Sequence, residues 1–237
     1  IHDFVRSVHL DARTNHTRNV KKRPHFAVES AVDFRLISPI GEIEISMPYF
    51  GDHNVKNALA AAALAINVGA SLEDVRAGLA ERIKVKGRLY PIQVNDGLLL
   101  LDDTYNANVG SLKSAIDVLK NYPAKNGADQ NGAIFRILVV GDMRELGADT
   151  QIYHQEIADY AKQAKLDFVL SFGTESAVIS AAVCGKHFED KAAMIDYLSA
   201  MIKKKQEEKQ KVVVLGKGSR SMRMEEVIEG VRDRFTC

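Results

Sequence analysis

Four short segments of this chain carry residue types at spacings suited to charged ligands. The first is Asp102-Asp103-Thr104-Tyr105-Asn106-Ala107-Asn108, which follows the apolar run 98–101 and precedes a helical pattern near Ser111. Carboxylates at the carboxyl end of a buried strand can accept hydrogen bonds from ribose hydroxyls or help to hold a divalent cation. A structural use competes: Asn108 or a neighbour would cap the helix that follows. Five polar side chains in one stretch favour the ligand site. The second segment is Gly141-Asp142-Met143-Arg144-Glu145-Leu146-Gly147, again between a buried strand and a helix. Gly141 permits a sharp turn or a close backbone approach. Asp142 is a candidate for contact with a substrate amine or for metal support. His154, on the next helix, reads first as a structural residue. The third is Gly216-Lys217-Gly218-Ser219-Arg220-Ser221. Two glycines, two cations and two hydroxyls between a strand and the last helix suit an anion such as a carboxylate or phosphate. Too few residues follow Arg220 to complete a dinucleotide-binding unit. The fourth is Lys84-Val85-Lys86-Gly87-Arg88, where Arg88 is either a nucleotide contact or an ordinary surface arginine.

Composition narrows what such sites could serve. The chain has 237 residues, 46% of them hydrophobic, which suffices for one or two buried cores. Lys and Arg total 32 against 31 Asp and Glu. That balance lacks the basic excess expected of a nucleic-acid-binding domain. The richest apolar run, 58–66, is far short of a membrane span, and no secretory signal opens the chain. Cys184 and Cys237 make no disulfide framework, so a reducing cytoplasm is expected. His2, His9 and His16 recur every seven residues, but their stretch lacks helical periodicity, and no metal site is expected there. The chain begins with Ile1 inside what reads as continuing structure, and it reads as a fragment. It contains no G-x-x-x-x-G-K-[ST] phosphate loop, no H-E-x-x-H, no C-x-x-C and no G-x-S-x-G.

The elements that must position these residues follow from periodicity. Residues 34–37, the turn Ser38-Pro39-Ile40-Gly41 and the alternating Glu42-Ile43-Glu44-Ile45-Ser46-Met47 predict a β-hairpin. An Ala-rich run to Val68 predicts a helix. Ser71 and Asp74 predict a capped second helix. From Arg88 onward, strands at 98–101, 134–140, 168–171 and 212–215 alternate with helices at 111–119, 152–165, 174–183, 191–203 and 224–232. Continuous apolar strands alternating with helices predict a mostly parallel, doubly wound sheet. The charge run 203–211 is expected to extend a helix into solvent. A domain boundary is expected at Gly87, giving domains 1–86 and 87–237.

Taken in order, His53-Asn54-Val55-Lys56-Asn57-Ala58-Leu59-Ala60-Ala61, Gly87-Arg88, Asp102-Asp103-Thr104-Tyr105-Asn106-Ala107-Asn108, Gly141-Asp142-Met143-x-Glu145-Leu146-Gly147 and Lys217-Gly218-Ser219-Arg220 resemble the Mur ligase family. The resemblance covers nearly all of the chain from about Gly51. The D-N-P motif of the diaminopimelate- or lysine-adding members is absent, and Val109 stands where many members have Pro. The resemblance implies a Rossmann-like C-terminal domain over 87–237, preceded by the end of a central ATPase domain. It implies an ATP- and Mg2+-dependent amide ligase, working through an acyl phosphate, that adds D-alanyl-D-alanine to UDP-MurNAc-tripeptide as a cytoplasmic monomer. It places Asn54 and Asn57 near adenine, Arg88 on the nucleotide and Asp103 on the ribose. Arg88 and Asp142 are the expected catalytic residues. Asn106, Asn108, Asp142, Lys217, Ser219 and Arg220 are expected around the substrates. The phosphate loop and most magnesium ligands match nothing in this chain, which alone is expected not to hydrolyse ATP. Rival expectations are another ligase of the superfamily, such as a folylpolyglutamate synthase, or a non-catalytic nucleotide-binding module.

Overall fold

A computed structural model of the chain describes residues 32–48, 52–81, 85–122, 134–183 and 185–236. The histidines at 2, 9 and 16 and both cysteines lie outside these residues. The chain divides into two compact units, Ile1–Ile83 and Lys84–Cys237.

In the first unit, strands β1 (Val32–Ser38) and β2 (Gly41–Met47) pair antiparallel as the expected hairpin. Alternation places Phe34, Leu36, Ile45 and Met47 on one face, where Val55, Ala58 and Ala62 of helix α1 (Asp52–Asn67) and Val75 of helix α2 (Leu72–Ala80) cover them. Ser71 caps α2 as its sequence predicts: its hydroxyl accepts the Asp74 N–H, and Asp74 accepts the Ser71 N–H.

The second unit is a six-stranded sheet in the order β3-β4-β8-β5-β6-β7. It comprises β3 (Tyr90–Asn95), β4 (Leu98–Asp103), α3 (Val109–Lys120), β5 (Ile134–Gly141), α4 (Thr150–Ala164), β6 (Phe168–Phe172), α5 (Ala177–Ala181), β7 (Gly185–Phe188), α6 (Lys191–Glu207), β8 (Lys211–Lys217) and α7 (Glu225–Phe235). All pairings are parallel except β3 with β4. Both faces of the central strands are buried, which is why 98–101, 137–140 and 212–215 read as unbroken apolar runs. Leu98, Leu100, Ile137, Val139, Val212 and Val214 pack under α6 and α7. Helix α6 runs on through part of the charged stretch 203–211, with Lys203, Lys204 and Glu207 exposed.

Periodicity missed two strands, and both are edges. Pro91 in β3 lacks an N–H and is tolerated only at an edge. β7 has four residues, too few to show alternation. The helix expected over 174–183 is shorter because the N–H groups of Thr174, Glu175 and Ser176 serve another acceptor, described below.

Gly185 lets β7 close on its neighbours: a Cβ there would lie 2.5 Å from the Val169 carbonyl oxygen and 2.7 Å from that of Ser180. Backbone on both sides leaves no soft partner. Gly185→Ala should therefore cost about 1–3 kcal/mol in urea unfolding. An unchanged midpoint would refute this packing.

Candidate functional site

Parallel pairing brings the carboxyl ends of β4, β8 and β5 side by side. The register sets Asp103 opposite Lys217 and Lys217 opposite Val140. The Lys217 ammonium donates to Asp103 Oδ2 at 2.6 Å and to the Asn106 carbonyl at 2.9 Å. The Lys217 side chain is 4% exposed and that of Asp103 14%. Burial pushes the Asp103 carboxyl above its ordinary value of 3.8, and the Lys217 ammonium beside it pulls the other way.

The two adjacent carboxylates have separate tasks. Asp102 Oδ2 accepts the Gly87 N–H at 3.1 Å, and its Oδ1 accepts the Thr104 N–H and hydroxyl at 3.1 and 2.6 Å. Asp103 Oδ1 accepts the Leu89 N–H at 3.1 Å. Alternate amides of Gly87-Arg88-Leu89 are thus pinned to the end of β4, and the Tyr105 N–H closes the clamp on the Gly87 carbonyl at 3.0 Å. Gly87 has φ +78°, and a Cβ there would meet Tyr105 at 3.1 Å, so glycine is needed. One lone pair on each Asp103 oxygen is used, and one on each remains for a further donor. The residues present therefore fit a ribose hydroxyl at Asp103.

Asp142 lies at the end of β5, inside the fold. It is fully buried, and its carboxylate accepts three backbone hydrogen bonds and lies against one guanidinium. Oδ1 accepts the Glu175 and Ser176 N–H groups at 3.1 and 2.9 Å. Oδ2 accepts the Thr174 N–H at 3.0 Å and lies 3.3 Å from the Arg144 guanidinium. Through these contacts Asp142 binds the loop after β6 to the loop after β5. Gly173, with φ +114°, gives it room: a Cβ would lie 2.4 Å from Oδ1.

Ser219 is likewise tied into the fold. Its N–H donates to the Asp142 carbonyl at 3.1 Å, and its hydroxyl accepts the Arg144 N–H at 2.7 Å. A 3-10 turn over Arg220–Met222 separates this loop from α7, whose first turn carries Glu225 and Glu226. Arg220 turns to Glu225 at 3.0 Å. Asn108 takes the capping alternative: its side chain accepts the Ser111 N–H at 2.8 Å. Asn106 is exposed beside the Asp103–Lys217 pair. Asn54 and Asn57 lie on α1, in the first unit. His154 is structural. Its Nε2 accepts the Met143 N–H at 3.0 Å, so the proton sits on Nδ1, which donates to the Thr150 carbonyl at 2.8 Å.

The second candidate segment lines an open recess of about 570 Å³ at the end of β5, where Met143, Arg144 and Glu145 are joined by Thr150, Gln151 and Glu175. Glu175 lay hidden inside a predicted helix. Among the described residues, no group of three or more His, Cys, Asp or Glu is placed to hold a metal ion, and no helix is long and apolar enough to cross a membrane.

A doubly wound parallel sheet with charged and polar side chains gathered at its carboxyl ends defines an α/β ligand-binding domain. Comparisons with known proteins narrow the class. Residues 87–220 match the family model described as Mur ligase, glutamate ligase domain. The chain is 59% identical over 204 residues to the UDP-N-acetylmuramoyl-tripeptide--D-alanyl-D-alanine ligase of Haemophilus influenzae, covering 86% of this chain and 42% of that protein. It is 46% identical over 206 residues to the Escherichia coli ligase of the same name, again covering 86% of this chain and 42% of that protein. A crystal structure of MurF from Acinetobacter baumannii superposes with a TM-score of 0.70 at 33% identity, covering 86% of this chain and 43% of that one. The chain belongs to the Mur ligase family. It spans less than half the length of these relatives.

Two outcomes follow from the geometry. Asp142→Ala strands three N–H groups and should lower stability by about 3 kcal/mol or more in urea unfolding; a loss near zero would deny the carboxylate its clamping role. A carbon-13 titration should place the Asp103 midpoint above 3.8. The folded chain then holds this proton more readily than the unfolded chain. The resulting stabilisation is fully present below the unfolded value and is lost as pH rises through the folded one. A midpoint at or below 3.8 would contradict it.

Proposed function

We propose that this chain forms part of an ATP-dependent amide ligase that adds D-alanyl-D-alanine to UDP-MurNAc-tripeptide in peptidoglycan synthesis. Residues 1–86 would be the end of a central ATPase domain and 87–237 the C-terminal Rossmann-like domain. The observation that carries the reading is the strand-end cluster in which the Arg88 segment is hydrogen-bonded to Asp103, itself paired with Lys217. The names of the relatives support the choice of substrates.

Bound ATP, with Mg2+, supplies the phosphoryl group that activates the tripeptide carboxylate for attack by the dipeptide amine. The residues of this chain position and neutralise, which is most of what such a reaction asks of a protein. Asp103 would accept from the ribose. Arg88, exposed and anchored through both neighbouring residues, would set a fixed positive charge at the nucleotide. Asn54 and Asn57 are proposed near the adenine. Asp142 would act on ligands only through the loops it joins. Those loops carry Arg144, Glu145 and Glu175 into the recess, a charge pattern complementary to the carboxylate and ammonium of a zwitterionic dipeptide. Asn106 lies beside Lys217 and is proposed as a polar contact to the peptide substrates. Asn108, Lys217, Ser219 and Arg220 would support the same loops. The enzyme is proposed to act as a cytoplasmic monomer.

Phosphate release by the full-length protein, given ATP, Mg2+ and UDP-MurNAc-tripeptide, should rise sharply when D-alanyl-D-alanine is added. Arg88→Ala should lower kcat by roughly 10²-fold, the scale of losing one charge-stabilising donor. Release that ignores the dipeptide would refute the acceptor. Stimulation by glutamate and a folate instead would favour the folylpolyglutamate reading, and silence with every acceptor would favour the non-catalytic module.

A further inference from the structure

Tyr105 lies in the cluster at the end of β4 but carries no role in the reading above. Its ring is large, apolar and 49% exposed, an uneconomical placement for a side chain that only packs. The Arg88 guanidinium carbon sits 4.4 Å from the centroid of that ring. This is well inside the distance at which a cation gains from the ring quadrupole. The backbone geometry enforces the pairing. The Tyr105 N–H donates to the Gly87 carbonyl at 3.0 Å, and the Gly87 N–H donates to Asp102 at 3.1 Å. Arg88 therefore leaves the chain directly beside the residue whose ring receives it. The space between these backbones is too tight for a side chain at position 87, where a Cβ would meet Tyr105 Cβ and N at 3.1 Å.

We propose that Tyr105 is a positioning residue for Arg88: its ring holds the guanidinium over the end of β4, so that the cation is already placed when a nucleoside triphosphate arrives. A free arginine side chain gives up considerable rotamer freedom on binding an anion, and a flat aromatic surface removes part of that cost beforehand. The guanidinium keeps its in-plane donors for phosphate oxygens while its face lies on the ring. The inference rests on Arg88 as a nucleotide contact.

The test compares Tyr105→Phe, Tyr105→Ala and Arg88→Ala in the full-length protein, with two kinds of readout. Without nucleotide, the Arg88 side-chain resonances should be shifted upfield by the ring current, keep that shift in Tyr105→Phe and lose it in Tyr105→Ala. With substrates, Tyr105→Ala should raise KM for ATP about two- to five-fold, the worth of one exposed cation–π contact, and leave KM for the dipeptide unchanged. Tyr105→Phe should restore the wild-type value. Both Tyr105 variants should keep the thermal midpoint, because alanine retains the Cβ that faces Gly87. If Arg88→Ala is damaging and Tyr105→Ala is not, this inference falls and the ligase reading stands. If Phe fails to rescue, or Tyr105→Ala lowers the thermal midpoint, the ring is structural and the inference is wrong. If Arg88→Ala is silent, the role of Arg88 falls and this inference falls with it.

Discussion

Across two neighbouring parallel strands, the Lys217 ammonium meets the Asp103 carboxylate at 2.6 Å with almost no water around it. Desolvating two charges is expensive, and the cost is recovered only where geometry is good and other polar groups are satisfied. Here the remaining bonds run to the Asn106 carbonyl and from the Leu89 N–H. The pair therefore fastens three things at once: the end of β4, the loop that follows it, and the segment that carries Arg88. Removing one partner would leave the other charged and buried, a loss of about 3–5 kcal/mol.

Neighbours, rather than residue type, divide the labour among three aspartates. Asp102 accepts three hydrogen bonds and Asp142 three, with the Arg144 guanidinium beside it, and both serve to join segments. Asp103 accepts two hydrogen bonds and retains one lone pair on each oxygen. Asp102 and Asp142 gain charge-assisted hydrogen bonds to backbone amides and compensate those amides in return. Loops that would otherwise be held weakly thus become fixed walls.

Backbone conformation is consistent with this account. Gly87, Leu89, Glu145 and Gly173 all have positive φ, and all lie in the segments that meet at the strand ends. For Leu89 and Glu145 this costs roughly 1–2 kcal/mol each, and the clamps on their neighbours maintain it. Lys165 adopts the same region at the end of α4, where a left-handed residue is an ordinary way to finish a helix.

Local physics was readable without coordinates. Unbroken apolar runs such as 98–101 and 212–215 announced strands covered on both faces. Ser71 and Asp74 announced a capped helix. The polar segments after each strand marked where ligands would be met. Edge strands β3 and β7 were illegible because Pro91 and a four-residue length erase alternation. The individual roles were illegible for another reason. Asp102, Asp103 and Asp142 are the same side chain in similar strand-end segments, and nothing near them in sequence distinguishes them. Thr104 and Arg144 lie two positions from Asp102 and Asp142, but the other donors come from residues 14 to 114 positions away. Composition and periodicity alone determined the parallel sheet and the end of it that carries the polar loops. Only the tertiary structure decided which carboxylate keeps the most acceptor capacity, because most of the donors that use it up are brought within reach by folding rather than by sequence proximity.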